Sequence, residues 1–170
     1  YRTNPASSNI KCMNKRCTIV MPLYNKGKYL SMAIESVLSQ RMKYGYDLII
    51  ADDCSTDDGV QIAEKYQAQY PDIITVLYAE RNVGLLSNDI RVFEHMKTDY
   101  FCVLDPDDYW IDPEYLQKAI SFLDNNEDYV CYSANTVVDE EGKEKRAYIS
   151  LDCQKYVTNS IEDYLCGRAI

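Results

Sequence analysis

The sequence has no run of apolar residues near the ~18 needed to cross a bilayer, and no secretory signal with a charged start, apolar core and small-residue cleavage site. It is poor in positive charge. Its 18 Lys and Arg stand against 27 Asp and Glu, and the formal net charge of −9 argues against a nucleic-acid backbone as partner. A phosphate-bearing ligand would therefore need a local cation or backbone N–H donors. No C-x-x-C pair occurs; the seven cysteines, Cys12, Cys17, Cys54, Cys102, Cys131, Cys153 and Cys166, are odd in number. Cys102 and Cys131 lie inside apolar runs, where the thiol acts as a small hydrophobe. Reduced cysteines and a cytoplasmic setting are expected, rather than a disulfide or zinc framework. The one histidine, His95, sits mid-helix between "FE" and "MK" and reads as a surface or packing residue. No G-x-G-x-x-G follows a strand, so a dinucleotide site is unsupported, and there is no internal repeat or low-complexity tract.

What is present is one ordinary domain, with 170 residues, 46% hydrophobic and 26% charged. The chain opens on Tyr1 and stops at "CGRAI" without a closing element, and reads as a piece of a longer protein. Residues 1–16 are polar and read as a leader or linker, with the folded domain over 17–170. "CTIVMP" (17–22), "YDLIIADD" (46–53), "DIITVLY" (72–78), "DYFCVLD" (99–105) and "DYVCYSANTVVD" (128–139) predict strands. Tyr29, Leu30, Ala33, Ile34, Val37 and Leu38 form the apolar stripe of a first helix. "STDDGVQIAEKYQAQY" predicts a second, opened by a Ser/Thr/Asp cap, and residues 86–97 a third. "DPEYLQKAISFLDNN" has an Asp cap with proline at the first helical position. "EEGK" is a turn candidate for a hairpin with "KRAYISL", and "NSIEDYLCG" a last short helix. Strands alternating with helices imply an α/β fold with a doubly wound, mostly parallel sheet.

Ligands of such sheets gather at the carboxyl ends of the strands. Three polar motifs stand there: "PLYN", "DDCS" and "DPDD". Asp105 and Asp107 form a D-x-D unit around Pro106, and Asp108 follows. In an extended segment, residues i and i+2 point to one side, so both carboxylates can share an ion or its bound water. Left alone they repel, and one tends to keep its proton. Oxygen-only ligands suit Mg2+ or Mn2+, which keep positions open for phosphates. The bland alternative, a solvated Asp-Pro turn, accounts for the cluster but not for its company at the strand ends.

The order of these motifs resembles the family 2 glycosyltransferases, inverting enzymes with the Rossmann-like GT-A fold. The likeness rests on "VMPLYNKGKYLSMAIESVLSQ", "YDLIIADDCSTDDG", "ERNVGLL" and "YFCVLDPDDYWIDPEYL", spanning residues 17 to 123. It implies a nucleotide-sugar donor. Pro22, Leu23, Tyr24 and Asn25 would line the base and ribose pocket. Asp53, backed by Asp52, would accept a hydrogen bond from the base. A carboxylate accepting from a ring N–H suits uracil or thymine; uracil is the commoner case in the family, so the resemblance implies a UDP-sugar as donor. Asp105 would meet the ribose or a metal-bound water, and Asp107 would ligate Mg2+ or Mn2+ directly. Lys26 and Arg81 are the candidate phosphate contacts. Gly84 and Pro106 fall in the same donor-binding set, and Asp108 and Trp110 shape the sugar pocket. The metal would act as a Lewis acid on the departing nucleoside diphosphate. The expected acceptor is a glycan or a lipid-linked glycan, the latter placing the domain at the inner membrane surface.

Two departures stand out. Where many members carry Arg-Asn, five and six residues after the glycine matching Gly84, this chain has Asp89 and Ile90. Cys54 replaces the glycine of the family's "DDGS" pattern, which is tolerable if its backbone angle is ordinary. An inverting transferase also needs a general base. Glu140, Glu141, Glu162 and Asp163 are available, but nothing in their spacing marks one, and the base is expected beyond residue 170 in a missing acceptor half. Two other readings were weighed. One is a dehalogenase-type phosphatase using Asp105 as nucleophile, against which three strands precede the D-x-D. The other is a glycosyltransferase-like module that binds nucleotide without transferring sugar.

Overall fold

The computed structural model describes residues 14–126 and the backbone of two short strands, 137–138 and 144–146. Four strands and four helices alternate: β1 (Lys15–Leu23), α1 (Gly27–Leu38), β2 (Gly45–Asp52), α2 (Gly59–Gln69), β3 (Ile74–Tyr78), α3 (Leu85–Phe93), β4 (Tyr100–Val103) and α4 (Tyr115–Asn125). All strand pairs are parallel and the order is β3-β2-β1-β4. The Rossmann-like α/β sheet expected of the sequence is therefore the observed one. The first strand begins at Lys15, inside the stretch read as leader, where the Lys15 ammonium pairs with Asp47 at 2.5 Å.

Pattern explains position. β1 and β2 are apolar on both faces because both are covered. From one face Val20, Ile49 and Ala51 pack with Val92 of α3, joined by Leu77 and Met96. Strand alternation sends Ile19, Met21, Leu48 and Ile50, all fully buried, to the other. Right-handed crossovers put α1 and α2 there together, and the Tyr66 hydroxyl of α2 donates to Glu35 of α1. The chain then runs back past β2 and β1 to place β4 on the far side of β1, with α3 on the opposite face. Phe93 of α3 meets Phe101 of β4 edge to face at 5.3 Å between centroids.

Several boundaries move for local reasons. α3 ends at Phe93 rather than residue 97, and His95, exposed, has its Nδ1 2.8 Å from the Arg91 carbonyl oxygen. Asp112 accepts from the Glu114 N–H as the expected cap, while regular helix begins at Tyr115. β5 (Val137–Val138) pairs antiparallel with β6 (Glu144–Arg146), agreeing with the expected hairpin. The last helix and the carboxylates at 140, 141, 162 and 163 lie outside the described residues. Cys17, Cys54 and Cys102 are free, and the Cys102 thiol is pushed up by its hydrogen bond with Cys17 and by burial.

One buried amide ties α3 to the sheet. Asn88, 1% exposed, donates to the Ala51 carbonyl at 2.6 Å and accepts from Arg91, which also donates to the carbonyls of Tyr78 and Asp52. Replacing Asn88 by Ala removes the amide from the Ala51 carbonyl and from one Arg91 N–H. The expected loss is about 2 kcal/mol of stability, read as a lower urea midpoint at unchanged slope.

Candidate functional site

The strand order places a switch point between β1 and β4, since the chain leaves β1 toward β2 on one side and returns to β4 on the other. The loops after those strands diverge and open a crevice there. Leu23 of β1 pairs with Asp52 of β2, and Asp52 with Tyr78 of β3; Val20 pairs with Val103, just before the acidic loop. The "PLYN", "DDCS", "ERNVG" and "DPDD" segments thus share one edge of the sheet.

Two buried carboxylates organise that edge. Asp52, 3% exposed, accepts from the backbone N–H groups of Cys54 and Ser55. Asp53, 4% exposed, accepts from Val83 N–H at 2.7 Å and Gly84 N–H at 2.9 Å. Each Asp53 oxygen keeps a second lone pair. The loop carrying Arg81, which is exposed, is thereby pinned to the end of β2. Gly84 has φ +82°, a conformation that disfavours any side chain.

The β1 loop is held by its neighbour. Asn25, at φ +52° where Asn is one of the tolerated residues, donates its N–H to Ser55 Oγ and accepts through Oδ1 from Thr56 N–H and its hydroxyl. Asp57 bridges two helix starts, accepting from Gly27 N–H at 2.8 Å and Gly59 N–H at 3.0 Å. The sequence reading placed a cap in "STDD" but did not find that one carboxylate serves both helices. The approach is close: a Cβ on Gly27 would lie 2.8 Å from the Gly59 nitrogen. Pro22 and Leu23 are buried at the end of β1, and Tyr24 projects, 47% exposed.

Asp105, Asp107 and Asp108 are exposed around a buried Pro106. Lys26 Nζ lies 2.5 Å from Asp107 Oδ2. The Asp108 carboxyl is raised by partial burial and then by Asp105 and Asp107, with Lys26 pulling it back. Asp89 is raised by burial and by Asp105, and its Oδ1 is buried without a hydrogen-bond partner among the described residues. So where the family pattern has an Arg-Asn pair, a carboxyl feels the D-x-D, and Ile90 is exposed. Trp110 stacks on Tyr115 with centroids 5.2 Å apart. The exit of the acidic loop is clamped by Gln40, which sequence reasoning missed. Its amide donates to the Asp112 carbonyl and accepts from Leu116 N–H, while Arg41 N–H donates to the Pro113 carbonyl. A buried glutamine just past a helix end is the only signal that could have marked it.

No three Asp, Glu, His or Cys side chains among the described residues converge closely enough to hold a metal alone. Two carboxylates from one loop have the donor chemistry of a hard cation whose remaining positions belong to water and phosphate, and Asp105 adds to the rise that burial gives the Asp108 and Asp89 carboxyls. A groove of about 390 Å³ lined by Leu38, Ser39, Gln69 and Tyr70 lies at the opposite ends of α1 and α2, away from this chemistry.

The pattern of Glycosyl transferase family 2 matches residues 18–167. The chain belongs to this family. An uncharacterized protein of Mycobacterium tuberculosis is 33% identical over 126 residues, 74% of this chain and 36% of the relative. EpsE of Bacillus subtilis, named as a glycosyltransferase, is 32% identical over 126 residues, 74% of this chain and 45% of its own. The chain thus spans less than half the length of these relatives. Staphylococcus aureus TarS 1-349, solved in complex with UDP, superposes with a TM-score of 0.58 at 28% identity, covering 66% of this chain and 33% of TarS. A mannosyltransferase of Pyrobaculum calidifontis, solved with GDP-Man and Mn2+, gives 0.59 at 19% identity over 66% of this chain and 33% of that one, a likeness of fold. Family membership sets the phosphatase reading aside.

Two predictions follow from the loop geometry. Cys54 has φ +65°, in the left-handed region that favours glycine, so the ordinary angle expected of it is not observed. Cys54→Gly is expected to raise stability by about 1 kcal/mol in denaturant unfolding. Asp108 has a folded pKa above its unfolded one, so its charge opposes folding, and this penalty grows as pH rises through the folded value. Asp108→Asn should raise stability at pH 7 by less than about 1 kcal/mol because the group is exposed, read as a higher melting temperature, and the gain should vanish below the carboxylate range.

Proposed function

We propose that this domain holds the donor of an inverting, metal-assisted glycosyl transfer, and that the donor is a UDP-sugar. The observation that carries the reading is the meeting, at the switch point between β1 and β4, of the D-x-D loop with a lysine from the β1 loop. It is supported by membership of a glycosyltransferase family, and by TarS, which is solved with UDP and with UDP-GlcNAc.

Likeness to the family supports the following residue roles. Pro22, Leu23, Tyr24 and Asn25 form one wall of the base and ribose pocket. Asp53 accepts from the base through lone pairs that Val83 and Gly84 leave free, and Asp52 keeps the supporting turn rigid. Lys26 and Arg81 offset the diphosphate charge. Asp107 would hold Mg2+ or Mn2+ with Asp105 beside it, and the cation would supply Lewis-acid stabilisation of the leaving nucleoside diphosphate. Asp108 and Trp110 flank the sugar. The general base belongs to the acceptor half of a longer protein, which would also contribute the glycan or lipid-linked acceptor site. Among the described residues no helix is long and apolar enough to cross a membrane.

Calorimetric titration of UDP into the chain, with and without Mn2+, tests the reading. Mn2+ is expected to tighten UDP binding at least tenfold, about 1.4 kcal/mol, and Asp107→Asn to remove that gain. UDP binding indifferent to both Mn2+ and the substitution would instead leave a nucleotide-binding module without metal-assisted transfer.

A further inference from the structure

The Lys26–Asp107 pair occupies the carboxylate on which the proposed metal site depends. Lys26 is the residue capping the start of α1, and its carbonyl accepts from the N–H groups of Tyr29 and Leu30, so its backbone is fixed by the helix. Its side chain has no such anchor. The ammonium reaches across the crevice to Asp107, with 42% and 40% of the two side chains exposed. It also feels Asp105 and draws Asp108 down, so one monovalent cation serves the whole acidic loop. A direct contact at 2.5 Å between Nζ and Oδ2 leaves that oxygen's near side blocked to another cation.

We propose that Lys26 is the resident counter-ion of Asp107 and that donor binding proceeds by exchange: the ammonium leaves Asp107 as the divalent cation arrives and moves onto the donor's diphosphate. The inference rests on the reading of Asp107 as a metal ligand. Magnitudes favour exchange over permanent occlusion. An exposed ion pair contributes no more than about fivefold to an equilibrium constant, which a divalent cation on two carboxylates exceeds easily. The exchange keeps a cation on Asp107 at every stage. Without ligand the lysine serves; with the metal and nucleotide bound, the lysine's charge is needed on the phosphates instead. A metal-free acidic loop that carries its own cation also binds metal weakly until the nucleotide supplies an alternative partner for the lysine, which couples the two ligands.

The test uses Mn2+ alone, then UDP, as titrants. Lys26→Met, which keeps the stem and removes the charge, is expected to bind Mn2+ alone about three- to fivefold more tightly than the parent. At saturating Mn2+ it should bind UDP several-fold more weakly. Lys28→Met removes the same charge two residues away, where the ammonium lies against Tyr29, and should change neither constant. Equal Mn2+ affinity in the parent and Lys26→Met overturns the exchange while leaving the metal site intact, provided Asp107→Asn still weakens Mn2+. Equal tightening by Lys26→Met and Lys28→Met overturns it in favour of a general field effect. Mn2+ binding that Asp107→Asn leaves unchanged overturns the metal reading, and the exchange with it.

Discussion

Everything in the described domain hangs on the parallel pairing of β1 with β2 on one side and β4 on the other. β1 is buried from Cys17 to Leu23 and carries hydrogen-bonded partners along both edges. A strand so enclosed must be apolar on both faces, and this one is. Because β2 and β4 leave β1 in opposite directions, the loops that follow β1 and β4 separate at their ends. That separation is a consequence of topology, available before any polar residue is chosen. The polar residues are then placed where the crevice opens.

A crevice bordered by loops is useful only if the loops stay in place, and here the restraint comes from backbone donors meeting carboxylates, of which Asp52 and Asp53 are buried and Asp57 half-buried. Asp52 holds the turn after β2, Asp53 the loop before α3, and Asp57 the starts of both α1 and α2. Charged acceptors make stronger hydrogen bonds than neutral ones, and burial strengthens them further. Among the described residues their negative charge meets backbone N–H dipoles rather than a salt-bridged lysine or arginine. In the exposed D-x-D loop the contact found among the described residues is instead the ion pair of Asp107 with Lys26. The contrast separates carboxylates tied into the edge by backbone N–H groups from carboxylates exposed at it.

Much of this was legible. Apolar runs of β-branched residues marked β1 and β2, the stripe from Tyr29 to Leu38 marked α1, and the placement of "PLYN", "DDCS" and "DPDD" at strand ends marked the crevice. What escaped has a common cause. Gln40 clamps residues 112 and 116, Asp57 reaches back to Gly27, and Asn88 reaches Ala51, each across tens of residues in sequence. Side-chain-to-backbone bonds of that span leave no local periodicity. The ends of α3 and β4 were overestimated because single backbone bonds, His95 and Met96 N–H to the carbonyls of Val92 and Phe93 and Leu104 N–H to Val20, continue each chain path for a few residues after the regular element ends.

By itself the sequence determined the α/β class, the sites of the strands and which chemistry stands at their carboxyl ends, because those depend on periodicity and residue type. Only the tertiary structure decided that β4 lies beside β1 rather than β3, that Cys54 occupies a left-handed turn, and that Lys26 rests on Asp107. Strand order is set by which faces the helices cover, and a turn's handedness by what its N–H groups must reach. An ion pair between residues 26 and 107 exists because two loops emerge from adjacent strands, and adjacency is a property of the sheet.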